Sequence, residues 1–444
     1  MKYTVSDKME VQLISHASVL IRSDVTIWTD PWLFGKAFNN SWSLFPEAVF
    51  DASLYDGIDY IFISHEHPDH FHIPTLRSMP DDFKRRVTIL FQHNNSDKMP
   101  DALNRFGFPN VKLLPHRETF SLTEKTRVYC YQAGTMDSLL GVMFDGKTLL
   151  NVNDCEINSK DCRRISSDIG KVDTLLNQFS IAGYSGYADR QKHLPPQAHK
   201  ILEKMLANHI DLEADETIPF ASFIYFSSED NRYINQFANK PRDAYDYFTQ
   251  QSKKMTVLYP GEIYKLGGEH DTATSLAGYD EVYRRTDQLE YDDEQRATKE
   301  QINEAFIKLS THIRERYPKT LLRKLLKPVV VEVPDLGKTL KFSIATGEIG
   351  DADVDETPDL IIRSQPLHFA FAFPYGVQTL GVSARYTLIK NFPNWRNHRI
   401  LFSLNNAELY LSPKHFFTSK NLTFFAKRLP GAWNQLTYRL KLMR

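Results

Sequence analysis

Histidine and acidic side chains are concentrated in one stretch that follows an apolar run. The letters HEHPDH begin at His65, directly after the β-rich run Tyr60–Ser64. Because successive side chains of a strand point to opposite faces, His65 and His67 are expected on one side of the strand end, with Asp69 and His70 on the following turn. Imidazole and carboxylate groups at this spacing suit a divalent transition metal, and a strand end leaves coordination positions open for water and substrate. A polar loop that is rich in histidine by chance does not account for His65, His67, Asp69 and His70 occurring at this spacing after a strand.

Composition excludes several classes of protein. The 444 residues include 54 Lys+Arg and 55 Asp+Glu, a net charge of −1, which argues against a dedicated nucleic-acid-binding protein. The three cysteines cannot form a disulfide framework and favour a reducing, cytoplasmic setting. No apolar run reaches the roughly 18 residues of a transmembrane helix, and the N-terminus lacks the apolar stretch of a signal peptide. We therefore expect a cytoplasmic enzyme with a small-molecule substrate.

The elements that must position the histidine stretch are short strands and helices. Turns separate the β-rich runs Val11–Ile14, Val19–Ile21, Val25–Thr29, Tyr60–Ser64 and Val87–Phe91. Two further strands, Leu139–Phe144 and Thr148–Val152, flank the hairpin signal Asp145-Gly146. Helices are predicted over Ile73–Met79 and, starting from Pro195-Pro196, over Gln197–Asn208. Antiparallel strands followed by strands that alternate with helices predict a layered α/β or α+β fold.

The composition changes near residue 265, which predicts a domain boundary. We expect a metal-binding catalytic domain at 1–266, an acidic linker and helix at 267–327, and a smaller α+β domain at 328–444. Within the last domain, the run Thr379–Leu388 is predicted to be a strand. Three roles remain open for this domain: covering the mouth of the active site, binding an apolar substrate, or forming a homodimer contact.

The motifs and their order resemble the metallo-β-lactamase fold superfamily over roughly residues 9–265. H-x-H-x-D-H after a buried strand is the signature of that superfamily, and three other segments match its motifs. They are LISHASVLI at 13–21, WTDPW at 28–32 and GKTLLNVNDC at 146–155. The resemblance implies an α/β fold, namely the metallo-β-lactamase αβ/βα sandwich with a smaller C-terminal α+β domain.

The resemblance also implies a metal-ligand set. His65 and His67 would bind one metal ion, Asp69 and His70 a second, and Asp154 would bridge both. Asp30 of the WTDPW segment would accept a hydrogen bond from a ligand histidine and fix its tautomer. The alternative for Asp30 is a turn-forming Asp-Pro pair.

Two histidines of the family pattern are missing. Residues 133–138 read AGTMDS where a third ligand histidine is expected, and Asp137 is the best substitute. Residues 218–225, where the last histidine is expected, contain none, and Glu229 or Asp230 is a candidate replacement. His16 is expected to be a buried strand histidine rather than a ligand.

One branch of the superfamily matches more closely, the catalytic part of CMP-N-acetylneuraminate hydroxylase. The segments at 63–76, 151–155, 219–221, 231–234 and 239–243 carry this resemblance. The Rieske motif of that family has no counterpart here. An oxygenase of this kind would take its electrons from a di-iron centre itself, from the substrate or from a separate reductase.

These features lead to three hypotheses. The first is an O2-dependent monooxygenase with two metal ions, iron favoured, acting on a sugar, nucleotide-sugar or amino acid, because carboxylate-rich sites suit iron or manganese. The second is a hydrolase, with zinc or manganese, that cleaves a phosphodiester, lactone or other ester through a metal hydroxide. The third is a binding protein with a degraded site, which the intact H-x-H-x-D-H stretch disfavours.

Candidate substrate contacts lie in a polar segment further along the chain. Arg232, Tyr233 and Arg242 could hold a carboxylate or phosphate through bidentate hydrogen bonds. A solvated basic loop explains these residues equally well.

Overall fold

The computed structural model describes residues 8–412 except 94–96, 135, 293–295 and 391, together with residues 414, 417 and 421. The chain divides into two compact units, the first formed by Met1–Ala182 and Arg190–Asp292, the second by Gly183–Asp189 and Asp293–Arg444. The domain boundaries expected at 266 and 327 do not coincide with this division. They stay a prediction about separate functional domains.

The first unit contains the histidine stretch. Its strands are β1 (Glu10–Ser15), β2 (Ser18–Arg22), β3 (Thr26–Thr29), β4 (Lys36–Ala37), β5 (Trp42–Leu44), β6 (Tyr60–Ile63), β7 (Thr88–Gln92), β8 (Val111–Leu114), β9 (Glu118–Ser121), β10 (Arg127–Ala133), β11 (Asp137–Phe144), β12 (Lys147–Asn153), β13 (Thr174–Gln178), β14 (Glu216–Phe220), β15 (Ile224–Phe226) and β16 (Ile263–Lys265). Its helices are α1 (Ile73–Ser78), α2 (Asp81–Arg86), α3 (Lys98–Arg105), α4 (Ser159–Ile169), α5 (Arg190–Asp211), α6 (Pro241–Gln250) and α7 (Thr272–Tyr283).

Two large sheets of this unit face each other. The first has the order β16-β1-β2-β3-β6-β7-β8, antiparallel up to β3 and parallel from β3 onward. The second has the order β10-β11-β12-β13-β14, in which β13 and β14 run parallel to β12. A third sheet, β15-β5-β4, is small. The β11–β12 hairpin turns at Asp145 and Gly146, both with positive φ, as predicted from their sequence.

Alternating side chains of β6 show how the layers stack. Phe62 belongs to the core between the sheets, which it shares with Leu140 of the second sheet. Ile61 and Ile63 point the other way and share a core with Leu76 of α1. On the outer face of the second sheet, strands β10–β13 share a core with α4. Helices therefore cover the outer faces of two packed sheets, which confirms the predicted αβ/βα sandwich.

Helix α5 differs from the sequence prediction. It begins at Arg190 and runs through Pro195 and Pro196, whereas the prediction began with these prolines. The dihedral angle φ of proline is compatible with a helix. Pro195 and Pro196 have no N–H group, so only the hydrogen bonds to carbonyl groups of the first turn are lost. Gln191 and Lys192 of that turn are exposed, so water can satisfy their carbonyl groups.

The second unit forms its own α+β core. Its elements are α8 (Lys299–Arg316), α9 (Lys319–Leu325), β17 (Val329–Val333), β18 (Lys338–Ser343), β19 (Glu348–Asp351), β20 (Leu360–Ile361), α10 (Ser364–Ala372), α11 (Gly376–Ser383), β21 (Thr387–Leu388) and α12 (Phe392–Asn406). The sheet order is β19-β18-β17-β20-β21. The strand predicted at Thr379–Leu388 is wrong for most of its length, because α11 buries Val377 and Leu380 on one face before only two residues form β21.

Candidate metal centre

Strand ends of both large sheets bring the polar side chains together. Asp30 follows β3, and the chain from Ser64 to His70 follows β6, its parallel neighbour. In the second sheet, Asp137 begins β11 and Asp154 follows β12. The carboxyl ends of parallel strands are where α/β proteins commonly bind ligands. Within the described residues, three groups of side chains lie close enough to hold a metal ion, and all three are at this edge.

The outer triad consists of His65, His67 and Asp137, whose candidate ligand atoms lie within 4.8 Å of one another. His65 Nε2 is 2.8 Å from His67 Nδ1 and 4.0 Å from Asp137 Oδ1. His65 is fully buried, but His67 is half-buried and the Asp137 side chain is 29% exposed. The outer triad therefore opens toward solvent.

The inner triad consists of His16, Asp69 and His70. Asp69 Oδ2 is 3.2 Å from His16 Nε2 and 3.3 Å from His70 Nε2. Two atoms that each bind one ion at about 2.1 Å are roughly 3–4 Å apart, so these distances suit a shared ion. All three residues are buried, in contrast to the outer triad.

Asp154 lies between the two triads. Its Oδ1 is 3.5 Å from His70 Nε2, and its Oδ2 is 3.9 Å from His65 Nε2. Asn153 sets the position, since its φ of 45° ends β12 and its side chain accepts the Asp154 N–H and donates to Ser138 O. One carboxylate oxygen thus faces each triad, the arrangement of a bridging ligand.

Asp30 contacts His70 at Nδ1, the ring nitrogen that faces away from Asp69 and Asp154. Its Oδ2 is 2.8 Å from His70 Nδ1, and it accepts hydrogen bonds from the N–H and hydroxyl of Ser64 at 2.7 Å each. A carboxylate only accepts hydrogen bonds, so His70 carries a proton on Nδ1, and its Nε2 lone pair becomes available to a metal when the second ring proton is lost. That lone pair points toward Asp69 and Asp154, which is the orientation a metal ligand requires.

Charge and unpartnered atoms show that a cation fits here. Asp69 Oδ1, Asp154 Oδ1 and His70 Nε2 are buried and have no hydrogen-bond partner. Within the described residues, the ion pairs of these aspartates and of Asp137 involve histidines alone. Burying carboxylate oxygens and an imidazole nitrogen without partners, next to an excess of negative charge, costs free energy. A bound cation would remove that cost.

Burial alone would lower the pKa of His70, but Asp69, Asp154 and Asp30 hold it well above its ordinary value, so a metal ion would have to displace a proton from this ring. Burial and the neighbouring His70 hold the pKa of His65 well below its ordinary value, which keeps its lone pair available. Burial alone would raise the pKa of Asp69, but His70 and His16 hold it well below its usual range. Burial and the charge of Asp154 raise the pKa of Asp137 to about 6. The Asp137 and Asp154 carboxylates interact because they lie close together and are partly withdrawn from water.

His16 is the residue that sequence reasoning placed differently. It was expected to be a satisfied strand histidine, whereas its Nδ1 has no hydrogen-bond partner and its Nε2 faces Asp69. It occupies the turn between β1 and β2, and its carbonyl accepts the N–H of Ala221. The only sequence signal was its place in the LISHASVLI segment, because the contact with Asp69 spans 53 residues.

The candidate substrate residues contact other side chains of the protein. Arg232 pairs with Glu229 at 3.1 Å, and Arg242 with Asp280 at 2.6 Å. Arg190 stacks on the Tyr233 ring at 3.5 Å. Each guanidinium therefore already has a protein partner, and the substrate contact stays a prediction.

The other titratable residues near the motifs have structural roles. His72 caps α1 by accepting the N–H of Thr75. Glu66 is exposed. Cys155 is buried, and burial raises the pKa of its thiol well above the ordinary value, which disfavours a thiolate nucleophile.

Comparison with known proteins agrees with this geometry. Residues 10–197 match the family model described as a beta-lactamase superfamily domain. The resemblance predicted from the sequence is confirmed. The matched segment contains both triads and Asp154.

Two curated relatives share one name. The cytidine monophosphate-N-acetylneuraminic acid hydroxylase of Mus musculus is 24% identical over 283 residues, covering 59% of this chain and 47% of the relative. The protein of the same name from Sus scrofa is 26% identical over 258 residues, covering 54% and 58%. The chain spans about half the length of these relatives.

A solved structure shows a more distant likeness. CmlA, a diiron β-hydroxylase from Streptomyces venezuelae, has a TM-score of 0.43 and 18% identity, covering 59% of this chain and 55% of that one.

The family match and the clustered ligands support a metal-dependent enzyme of metallo-β-lactamase fold. Within the described residues, no helix has the length and apolar character needed to cross a membrane.

Proposed function

We propose that this chain is an O2-dependent oxygenase with a pair of iron ions, acting on a polar metabolite such as a sugar, nucleotide-sugar or amino acid. The observation that carries the proposal is the composition of the outer triad, two histidines and one carboxylate. Two histidines and a carboxylate with open positions are the ligand set of non-haem iron oxygenases. A third histidine in place of Asp137 would favour zinc.

The whole ligand set supports the same metal. Asp69, Asp137 and Asp154 supply three carboxylates to two adjacent positions. Carboxylate charge compensates the higher oxidation states of iron, so the site suits a metal that changes its oxidation state. The relatives named as hydroxylases support the reaction class, although the chain spans only about half their length.

Each ion would be held by its own set of side chains. His65, His67 and Asp137 would hold the outer ion, and Asp154 would join it to the inner one. Iron at these positions would supply the redox chemistry by which O2 is reduced. The chain orients the ligands through Asp30 and excludes water from the inner side.

An oxygenase that transfers one oxygen atom to substrate and reduces the other to water consumes two electrons in addition to those of the oxidised bond. We therefore propose a separate reductase as partner, with the substrate as the alternative electron source. Arg232, Tyr233 and Arg242 remain the proposed contacts for an anionic group of the substrate. A cytoplasmic location and a homodimer also remain proposals.

A metal-hydroxide hydrolase is the second candidate, favoured by the family model that matches residues 10–197. A metal-bound water with a lowered pKa would attack a phosphodiester, lactone or other ester. Zinc or manganese would then occupy both positions. The carboxylate at 137 is compatible with manganese and with zinc, because two histidines and a carboxylate also form catalytic zinc sites.

The test compares wild type with Asp137→His, grown with equal iron and zinc and purified without O2. We expect iron in the wild type and a shift toward zinc in the variant, because the variant has the three-histidine set of zinc sites. The iron-loaded, reduced wild type should consume O2, while the zinc-loaded variant should not. Zinc in both proteins, with turnover of bis(p-nitrophenyl) phosphate or a lactone, would overturn the oxygenase and support the hydrolase.

A further inference from the structure

We infer that His16 is a ligand of the inner metal ion, supplying the nitrogen that residues 218–225 lack. This inference rests on the proposed two-metal centre and adds a ligand to it. His16 lies outside the H-x-H-x-D-H stretch and outside the later aspartates. It reaches the site from the turn between the first two strands.

The first argument is geometric. His16 Nε2 is 3.2 Å from Asp69 Oδ2, and His70 Nε2 is 3.3 Å from the same oxygen. The three side chains offer ligand atoms within 4.8 Å of one another. Two imidazoles therefore converge on one carboxylate in a space from which solvent is excluded.

The second argument concerns hydrogen bonds. An ordinary His–Asp pair would explain His16 and one oxygen of Asp69. It leaves Asp69 Oδ1 and His70 Nε2 buried without a partner. A single cation bound by His16, His70 and both oxygens of Asp69 would satisfy both atoms, and no single His–Asp hydrogen bond does so.

The third argument is the rigidity of the position. The His16 carbonyl accepts the N–H of Ala221 at 3.0 Å. Trp32 and Trp42 contact the imidazole edge-on, with ring centroids 5.7 and 6.3 Å away. A ligand held in one orientation by backbone and aromatic contacts is preorganised for binding.

The contact with Ala221 also explains the missing histidine. Ala221 follows β14 and lies in segment 218–225, which contains no histidine. Because the backbones of His16 and Ala221 are hydrogen-bonded neighbours, a side chain from the β1–β2 turn can reach the place that a side chain from the end of β14 would fill. The ligand has moved to the adjacent segment of chain.

The experiment is proton NMR of the protein loaded with Co²⁺, which shifts the ring N–H signals of coordinated histidines far outside the usual range. We expect two Co²⁺ per chain and four shifted histidine signals in the wild type. His16→Asn, which can still hydrogen-bond to Asp69, should lose one of these signals and bind the second Co²⁺ at least about tenfold more weakly. His116→Asn, a histidine outside all three groups, should keep two ions and four signals.

The outcomes separate the two proposals. Two Co²⁺ with three shifted signals in the wild type, unchanged in His16→Asn, would overturn the role of His16 and leave the two-metal centre intact. A wild type that binds no Co²⁺ would overturn the centre itself. Counting signals in the wild type decides the question even if the variant does not fold.

Discussion

The inner and outer triads share the Asp154 carboxylate, yet their surroundings differ. His16, Asp69 and His70 are buried, and Trp32 and Trp42 line the His16 side. In the outer triad only His65 is buried completely, and the Asp137 side chain is 29% exposed. We therefore expect an ion at the inner position to be retained and an ion at the outer position to exchange its open ligands with solvent.

The contacts that hold the ligand side chains in place also differ between the two triads. On the inner side, Asp30 and Ser64 fix the ring of His70 through three short hydrogen bonds. On the outer side, the His67 ring contacts Phe38, with ring centroids 5.8 Å apart. Charges interact more strongly where the dielectric is low, so the inner carboxylate should bind its cation more tightly. Four predictions test this contrast.

The largest effect is expected from Asp154→Asn, because this carboxylate faces both positions. Loss of a supporting residue alone costs about 10–100-fold in metal affinity, so losing a shared ligand should weaken both ions by more than about 100-fold. Metal content after dialysis measures the effect. Asp145→Asn, in the β11–β12 turn, is the matched control and should keep both ions. A variant that kept both ions would show that Asp154 does not bridge.

Asp30→Asn should weaken mainly the inner ion, by about 10–100-fold, because an amide can donate to His70 Nδ1 and favour the wrong tautomer. Competition with a coloured chelator gives the two affinities separately. Asp51→Asn, the same change at an exposed helix cap, should alter neither. Equal weakening of both ions by Asp30→Asn would remove the distinction between the triads.

Chelator treatment should release the two ions in sequence. The outer ion should leave first, because His67 and Asp137 are partly exposed, and the inner ion should leave more slowly, because its ligands are buried. Release is followed by the absorbance of a chelator complex over time. Two phases of equal amplitude are expected, and His67→Ala should lack the fast phase. A single phase in the wild type would mean that the two positions exchange alike.

Ser64→Ala should have the smallest effect. It removes the hydroxyl that donates to Asp30 and lies 3.0 Å from His65 Nδ1, but the Ser64 N–H still donates to the other carboxylate oxygen of Asp30. One hydrogen bond contributes about 0.5–1.5 kcal/mol, so the affinity of the inner triad for its ion should fall by less than about fifteenfold. The same competition assay measures it, with Ser78→Ala as a control outside the centre. An effect larger than that of Asp30→Asn would contradict the proposed support.

Contiguous features were predictable from the sequence. The end of β6 and the histidines after it form one segment, so strand alternation and spacing suffice to predict a site there. The same holds for the hairpin at Asp145 and Gly146. The order of motifs then indicated the sandwich, and the structure confirms it.

Features that depend on packing were not predictable. His16 meets Asp69 only after the β1–β2 turn is placed beside the end of β6, and no local pattern encodes that approach. Helix α5 continues through Pro195 because its first turn is exposed, which sequence alone does not show. Helix α11 contains apolar residues that read equally well as a strand, and burial of Val377 and Leu380 against the second unit's core decides the outcome.

The most direct test of the central claim is metal analysis and Mössbauer spectroscopy of the wild type from cells grown on ⁵⁷Fe. We predict about two irons per chain and two signals of equal area, because the inner and outer ligand sets differ. His67→Ala should keep only the signal of the inner ion. Zinc or manganese in place of iron, or a single iron per chain, would contradict the di-iron centre.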